Sequence, residues 1–534
     1  MTTKQLDALV VGAGIAGLYQ LYRLRELGFS VRAVDAAPDV GGTWYWNAYP
    51  GARVDSPANV YQYWFSDELL DEWEWSERFP AQPEIRRYLT YVAGKFDLYR
   101  DIDLQTRVEA ATWDEDARLW HVRTDSGTDF DVRYLVSCVG MLSTPKVPPF
   151  PGHEDFAGEI YHTARWPQHD IDFSGKRVGV VGTGATGIQV IQTLAKEVDE
   201  LFVFQRTPQY AVRMKNYSVD AETMKAWRAA YPQLRSQVHE TFAGFEWHTP
   251  EAGWATELSK DERIALLEEC WADGSLKMWV GTYPEVLAVP EMNDEVTAFV
   301  RAKIRAQIDD PALAEKLIPD GYGYGTYRVP LENGYYEAFN RPNVTLVDVK
   351  ETPIERFSRD GLVVGGEEYP LDMVILATGF DAGTGSLARM NITGRDGASL
   401  AELWGRDIRS TLGLQVHGFP NLFTVAGPLA PSTAFCNMAT CLQQQVDWVT
   451  DAIVYLRDHH KHTMEPTAER EEAWVQHHDE VANSTLFMTV HSWYTGDNIE
   501  GKPRRLLSYI GGVGAYRDIC EEEKVNDYPG FAVA

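Results

Sequence analysis

The segment Leu6-Asp7-Ala8-Leu9-Val10-Val11-Gly12-Ala13-Gly14-Ile15-Ala16-Gly17 decides the fold of this chain. Its first half is a short apolar run, which predicts a buried parallel strand that ends at a glycine loop. Leucines at positions 18, 21, 24 and 27 then recur at helical spacing until Gly28, a typical helix terminator. A second strand is predicted over Ser30–Val34, and Asp35 follows it. This order of strand, glycine loop, helix, strand and acid predicts a dinucleotide-binding βαβ unit.

Each residue type in this unit has a chemical role. Gly12, Gly14 and Gly17 allow a tight turn and a close approach of the backbone to a pyrophosphate. The N-terminus of the following helix attracts the phosphates, and Asp35 accepts hydrogen bonds from a ribose. We therefore expect these four residues to bind a dinucleotide.

The same pattern recurs in the middle of the chain. A strand is predicted over Lys176–Val181, and a helix and a second strand, Leu201–Phe204, follow a glycine loop. The residues expected to bind the second dinucleotide in and after this loop are Thr183, Gly184, Ala185, Thr186, Gly187 and Gln189.

The two units differ at the end of their second strand. Where the first unit has Asp35, the second has Gln205, and Arg206 and Thr207 follow. A carboxylate at this point would repel a 2′-phosphate, whereas an arginine would pair with it. We therefore expect the first loop to bind the ADP half of FAD and the second to bind NADPH, with contacts from Arg206 and Thr207. The alternative for Arg206 is a solvated charge at a strand end.

An aromatic segment after the first unit suggests where the flavin ring lies. Adjacent glycines at 41 and 42 let the backbone approach a phosphate or a flavin. The candidate FAD-binding residues here are Gly42, Thr43, Trp44, Tyr45 and Trp46. The alternative for these aromatic residues is an ordinary core.

Composition and charge exclude several classes of partner. The chain has 534 residues and a formal charge of −29, and its length predicts two to four domains. A polyanionic surface repels nucleic acids and anionic lipids, so neither is an expected partner. No apolar run approaches the ~20 residues of a membrane-spanning helix. The N-terminus leads directly into a strand, so no signal peptide is expected, and we expect a cytoplasmic protein.

The five cysteines are few and odd in number, which is typical of reduced thiols in a cytoplasmic enzyme. Cys436 and Cys441 form a CxxxxC pattern far from the first glycine loop, and we interpret them as small apolar residues on a helix. No cysteine precedes Cys138, which argues against a flavin disulfide reductase.

Three further motifs are more selective than the glycine loops. Phe156 to Pro167 reads F-x-G-x-x-x-H-x-x-x-W-P, Gly41 to Asp55 reads G-G-T-W-Y-W-N-x-Y-P-G-A-R-x-D, and Gly325-Thr326-Tyr327-Arg328 lies farther on. Together they resemble the type I flavoprotein Baeyer–Villiger monooxygenases over nearly the whole chain, above all the group that acts on steroid, terpenoid or large-ring ketones. The resemblance implies an enzyme that uses FAD, NADPH and O2 to convert a ketone to an ester or lactone through a C4a-peroxyflavin.

The resemblance also implies roles for individual residues. Arg328 matches the family's catalytic arginine, and Asp55 matches the carboxylate that positions it. Trp493 matches a tryptophan that contacts NADP, and further FAD contacts are implied at Tyr61, Val108 and Met438. The fingerprint residues His162 and Trp166 are expected to act through the interdomain linker and not in proton transfer. From the residues alone, a structural ion pair is the favoured interpretation of Arg328 and Asp55, and the family resemblance reverses this preference.

One position departs from the family pattern. Many members carry a lysine that supports NADPH binding before the catalytic arginine, and here the residue is Tyr327. We expect Tyr327 to contact the cofactor, or else to pack at the domain seam. The missing cation leaves the strictness of NADPH over NADH open.

The expected fold is α/β, with two interleaved Rossmann-like dinucleotide-binding domains and a helical insertion. Residues 1–145 and 383–534 are assigned to the FAD domain, 146–209 and 328–382 to the NADP domain, and 210–327 to the insertion. The chain would cross between the domains near Val136–Gly140 and again near Ala377–Asp381. Two other functions stay open: a flavin monooxygenase that oxidises amines or sulfur, and a non-catalytic redox sensor. We expect a monomer or a weak homo-oligomer.

Overall fold

The structure is a computed structural model that describes residues 2–247, 253–433 and 435–534. It is a mixed α/β structure built on two separate parallel-rich sheets. The described strands, β1 to β20 in chain order, are Thr2–Val11, Val31–Val34, Ile102–Asp103, Val108–Asp114, Leu119–Thr124, Thr128–Ser137, Glu159–His162, Arg177–Val181, Glu200–Gln205, Val212–Arg213, Leu331–Glu332, Val344–Asp348, Ile354–Phe357, Gly361–Val364, Glu367–Pro370, Met373–Leu376, Ile392–Thr393, Leu422–Thr424, Met464–Pro466 and Phe531–Val533.

The helices connect and cover these strands. In chain order, α1 to α16 are Ile15–Glu26, Thr43–Trp46, Asp67–Glu72, Gln82–Lys95, Ala185–Leu194, Ala221–Gln237, Lys260–Asp273, Lys277–Val280, Pro290–Arg305, Pro311–Leu317, Tyr335–Ala338, Gly385–Ala388, Leu400–Arg406, Met438–Asp458, Ala468–Asn483 and Val513–Val525. Both predicted βαβ units are confirmed: β1, α1 and β2 form the first, and β8, α5 and β9 form the second.

The first sheet takes strands from both ends of the chain. Its order is β17-β4-β5-β6-β1-β2-β3, and β18 also pairs with β6. Strand β1 pairs in parallel with both β2 and β6, and its residues Ala8 to Val10 are completely buried. This burial on both faces explains why the strand is apolar without alternation.

The second sheet is entirely parallel and has the order β12-β9-β8-β16-β7. All its strands lie between residues 159 and 376, within the stretch that separates the strands of the first sheet. The fold is therefore two interleaved Rossmann-like domains, as expected. Helices α6 to α10 lie between β10 and β11, in the segment assigned to the insertion, of which residues 248–252 lie outside the described part.

Cys436 and Cys441 of the CxxxxC pattern lie beside each other at the start of α14, with their Cα atoms 6.4 Å apart. Both are buried in a small apolar cluster with Val513, although Cys436 precedes the first residue of the helix. Cys138 and Cys520 are buried thiols, and burial raises the pKa of both. Among the described residues, no helix combines the length and apolar character needed to cross a membrane.

Candidate functional site

A large cavity of about 1140 Å³ opens between the two sheets and reaches both glycine loops. This volume exceeds the ~300–1,000 Å³ of a pocket for one drug-sized ligand, so it can hold more than one molecule. The predicted site residues on its wall are Gly12, Gly14, Asp35, Gly42, Thr43, Trp44, Trp46, Asp55, Tyr61, Val108, Thr183, Gly184, Ala185, Thr186, Gln189, Arg206, Thr207, Tyr327, Arg328, Met438 and Trp493.

Three predicted residues do not line the cavity. Tyr45 is buried with its ring 4.8 Å from the Arg86 guanidinium, so it packs on the side of the aromatic segment that faces away from the cavity. Gly17 and Gly187 lie in the first turns of α1 and α5. A Cβ on Gly17 would lie 1.8 Å from the Gly12 carbonyl oxygen, so this glycine lets the helix pack on its own loop.

The first glycine loop, Gly12 to Gly17, forms a tight turn that can bind a phosphate, and we call this loop and the equivalent second loop the phosphate cradles. Gly12 has a φ of +110°, and a Cβ there would lie 2.5 Å from the carbonyl oxygen of Cys138, in the first crossing segment. Asp35 accepts hydrogen bonds from the backbone amides of Ala13 at 2.6 Å and Ala37 at 2.8 Å. Burial raises the pKa of Asp35, and these two hydrogen bonds oppose the rise. The acid therefore ties the loop to the end of β2 while its remaining lone pairs face the cavity.

The second loop repeats this construction. Gly182 has a φ of +106°, and a Cβ there would lie 2.6 Å from the carbonyl oxygen of Ala377, in the second crossing segment. The Thr183 hydroxyl donates to the Thr207 carbonyl at 2.9 Å, which fixes the loop against the end of β9. Gln205 donates to the carbonyl of Lys316 and faces the insertion, so it leaves the cavity to Arg206 and Thr207.

Arg328 and Asp55 meet at the cavity wall. The Nη2 atom of Arg328 donates to Asp55 Oδ2 at 3.0 Å, and the two side chains are 21% and 8% exposed. Burial raises the pKa of Asp55, and the Arg328 charge is the largest opposing effect. Asp55 Oδ1 is buried, and the backbone N–H of Leu331 also helps to keep the carboxyl group in its charged form.

Two neighbours that the sequence did not single out, Trp279 and Gln209, contact Arg328, and a third, Phe435, packs on Trp279. The Trp279 ring lies 5.3 Å from the guanidinium, in cation–π contact, and its indole N–H donates to the Gly325 carbonyl at 3.0 Å. Gln209 donates to the Arg328 carbonyl. Phe435 packs 5.9 Å from the Trp279 ring and continues the aromatic wall. None of these residues follows a recognisable spacing, because they come from separate elements.

The fingerprint residues His162 and Trp166 form hydrogen bonds that connect separate segments of the chain. His162 Nε2 lies 3.2 Å from both the Lys146 carbonyl oxygen and the Thr378 hydroxyl, and burial lowers the pKa of this histidine. The Trp166 amide donates to the Trp46 carbonyl at 3.1 Å. A neutral histidine locked between two crossing segments agrees with a structural role in the linker.

Tyr327 and Trp493 lie on the side of the cavity near the second loop. The Tyr327 ring packs on Tyr322 with centroids 4.2 Å apart, and its hydroxyl donates to the His491 carbonyl. Burial raises the pKa of Tyr327, and the positive charge of Arg206 opposes the rise. The tyrosine therefore ties the Arg328 segment to the segment that carries Trp493.

Four cations of the cavity wall have no carboxylate within ion-pair distance in the described chain. They form two groups, Arg107 with Arg165 near Asp35, and Lys146 with Arg206 near the second loop. The other cavity cations, Arg53, Arg328 and Arg389, all have acid partners. Unpaired cations beside two phosphate cradles fit two anionic dinucleotides.

Two phosphate cradles on one cavity, with a partly buried arginine in contact with an aromatic ring between them, indicate a flavin-dependent oxidoreductase that also binds a nicotinamide nucleotide. The comparisons agree with this class. Residues 5–229 match the family model "FMO-like: Flavin-binding monooxygenase-like". The chain is 52% identical to an acetone monooxygenase (methyl acetate-forming) from Gordonia sp. (strain TY-5), over 100% of both chains. It is 40% identical to a Baeyer–Villiger monooxygenase from Pseudooceanicola batsensis, over 98% of this chain and 95% of the relative.

A solved structure of oxidised steroid monooxygenase bound to NADP superimposes with a TM-score of 0.95, at 45% identity and 99% coverage of both chains. This chain belongs to the flavoprotein Baeyer–Villiger monooxygenases, and its cofactors are FAD and NADPH.

Proposed function

We propose that the chain oxidises ketones to esters or lactones with NADPH and O2, and that Arg328 and Asp55 are its catalytic pair. The observation that supports these roles is the placement of this ion pair, with a buried Asp55 and a partly buried Arg328, on the wall of the cavity that both glycine loops share. The proposal extends the family membership to the residues that perform the reaction.

FAD, when bound, supplies the activated oxygen that is transferred to the ketone. The task of the protein is to stabilise negative charge on oxygen as the carbonyl carbon is attacked. Arg328 suits this task because arginine stays charged when buried and its donors are fixed before the reaction begins. Asp55 accepts a hydrogen bond from one of the N–H groups of Arg328, so the remaining N–H groups of the guanidinium are held in a constant direction.

The aromatic wall next to Arg328 supports the substrate. Trp279 and Phe435 are buried, and Phe245 stacks on Trp247 with centroids 4.7 Å apart. Such rings exclude water and give alkyl groups of a ketone an apolar surface. In a site with little water, the charge of Arg328 acts more strongly on a developing oxyanion.

The second glycine loop and its surroundings hold NADPH. Thr183 to Thr186 present backbone N–H groups at the N-terminus of α5, where phosphate oxygens are favoured. Gln189 accepts from the Tyr49 hydroxyl and donates to the Arg53 carbonyl, so it braces the second unit against the aromatic segment of the first. Arg206 would hold the 2′-phosphate of bound NADPH, and Trp493, on the same cavity wall, would contact the bound cofactor.

Oxygen-dependent oxidation of NADPH with and without ketones tests this function. The panel comprises acetone, cyclopentanone, a large-ring ketone and a steroid ketone, and mass spectrometry follows the gain of one oxygen atom. Incorporation of label from ¹⁸O2 into an ester or lactone supports the proposal. Oxidation of amines or thioethers without any ester would favour the alternative monooxygenase. Absence of NADPH turnover in the FAD-loaded protein would favour a redox sensor.

We also propose a cytoplasmic protein that is a monomer or a weak homo-oligomer. The strongly acidic composition, which disfavours self-association, supports this state. Light scattering coupled to size-exclusion chromatography tests it, and a dimer that persists at nanomolar concentration would contradict it.

A further inference from the structure

The starting observation concerns charge in an acidic chain. The sequence has 78 acidic residues against 49 lysines and arginines, so a cation without an acid partner is unusual. Yet Lys146 and Arg206 line the same cavity, and in the described parts of the chain neither has a carboxylate within ion-pair distance. Two unpaired cations on one wall leave room for an anion that the protein itself does not supply.

The backbone fixes the position of Lys146. Its amide donates to the Gly379 carbonyl at 2.9 Å, and its carbonyl accepts from the Thr378 hydroxyl at 2.6 Å. His162 Nε2 lies 3.2 Å from the same carbonyl oxygen. Prolines at 145 and 148 restrict the chain on both sides. Lys146 is therefore held at the junction of the two crossing segments.

The side chain of Lys146 is also directed. Its ammonium donates to the backbone carbonyl of Asn498, in the same segment as Trp493. That bond uses one of its three donors, so two remain for a ligand. The side chain is partly buried, and its attachment to a carbonyl instead of a carboxylate keeps its charge uncompensated.

Arg206 lies close enough to affect Lys146. Burial lowers the pKa of Lys146, and the positive charge of Arg206 lowers it further. The same positive charge also opposes the rise that burial causes in the pKa of Tyr327, whose hydroxyl donates a hydrogen bond to the His491 carbonyl. Two like charges held together without an anion are unfavourable, and a dianionic phosphate between them would remove this repulsion.

We propose that Lys146 is a second cation for the 2′-phosphate of NADPH and binds it together with Arg206, as a two-cation clamp beside the second glycine loop. The clamp takes the place of a cation at position 327, where the tyrosine is engaged in packing. The inference rests on the use of NADPH by the enzyme and adds a residue that determines the preference for NADPH over NADH.

Binding of NADP⁺ and NAD⁺ to the oxidised, FAD-loaded enzyme tests the clamp by isothermal titration calorimetry. Lys146→Met removes the charge and keeps most of the side-chain volume, Lys146→Arg keeps the charge, and Lys196→Met is the control at an exposed lysine away from the cavity. We expect Lys146→Met to raise the Kd of NADP⁺ by roughly 10- to 100-fold, the range of one charged hydrogen bond. The Kd of NAD⁺ should change less than about threefold.

The Lys146→Arg and Lys196→Met proteins should bind NADP⁺ within about fivefold of wild type. The flavin absorbance spectrum and the unfolding temperature verify that each variant is folded and loaded. Equal weakening of NADP⁺ and NAD⁺ by Lys146→Met would overturn the inference, since Lys146 would then act on a shared part of the nucleotide. Unchanged binding of both would overturn it as well. A wild type that does not distinguish the nucleotides would instead refute the NADPH dependence itself.

Discussion

Replacement of Arg328 by alanine should stop ester formation while NADPH still reduces the flavin. The guanidinium contacts Asp55 and the Trp279 ring, and neither contact belongs to a glycine loop. Binding and hydride transfer from NADPH should therefore survive, whereas the oxygen that adds to the ketone loses its positive neighbour.

The expected fall in the rate of ester formation follows from the burial of Arg328 and Asp55. Removing one fixed donor to an oxyanion typically costs about 2.7–4 kcal/mol, which is roughly 10²–10³-fold in kcat. The Arg328 side chain is only 21% exposed, so solvent replaces little of the lost interaction. We expect the rate of ester formation to fall at least 100-fold.

The same substitution should also affect stability, and a second variant separates the two effects. Loss of Arg328 leaves Asp55 as a buried carboxylate without its counter-charge, which costs about 3–5 kcal/mol. Burial already raises the pKa of Asp55, so without the arginine this pKa rises further. A carboxyl group with a raised folded-state pKa favours the folded state at low pH and loses this contribution as the pH rises through that pKa. The deficit in Tm should shrink as the pH is lowered.

The double variant Asp55→Asn/Arg328→Ala removes both charges and should recover most of the Tm but none of the ester formation. Anaerobic stopped-flow absorbance measures flavin reduction, and gas chromatography with mass spectrometry measures the product under air. Ester formed at a near wild-type rate by Arg328→Ala would refute the catalytic role. Loss of flavin reduction in the stable double variant would refute the separation between reduction and oxygen transfer.

Three further predictions concern the cofactor sites. Arg206→Ala should raise the KM for NADPH roughly 10- to 150-fold with little effect on that for NADH, and equal effects in steady-state kinetics would exclude contact with the 2′-phosphate. Tyr327→Lys should weaken NADP⁺ binding, because the variant loses both the Tyr322 contact and the hydrogen bond to the His491 carbonyl. Tyr327→Phe loses only that hydrogen bond, so its free energy of NADP⁺ binding should weaken by only about 0.5–1.5 kcal/mol. Tighter binding by the lysine variant in calorimetry would show that the tyrosine is not a packing residue. Gly17→Ala should yield protein that lacks flavin absorbance, and a fully loaded variant would contradict the close packing of α1 on its loop.

The sequence predicts the parts of this structure that depend on local spacing. Strand β1, helix α1 and Asp35 are all close in sequence, so periodicity and turn chemistry are sufficient to place them. The pair of Arg328 and Asp55 is separated by 273 residues, and only the family resemblance could connect them. The remaining predicted site residues line the cavity, apart from Gly17, Gly187 and Tyr45. The two glycines lie within the first turns of their helices, and the Tyr45 ring packs against Arg86 instead.

Other features could not be predicted because they arise from packing between distant segments. The unpaired charge of Lys146 depends on Asn498 and Arg206, which come from the far end of the chain and from the second βαβ unit. The sequence alone also leaves two interpretations of Tyr327, contact with the cofactor or packing at the domain seam. The hydrogen bond from its hydroxyl to the His491 carbonyl favours packing.

The two glycine loops share one construction but differ in their cover, and this difference indicates how each cofactor is used. A Cβ on Gly14 would lie 3.4 Å from the Cα of Gly42, so the aromatic segment closes over the first loop. The equivalent position in the second loop, Gly184, has nothing within 4 Å, and Arg206 beside it is exposed. The first loop is therefore in contact with a second backbone segment, whereas the second loop has open space at the equivalent position. Enclosure at the first loop suits a resident FAD, and openness at the second suits an NADPH that binds and is replaced in each catalytic cycle.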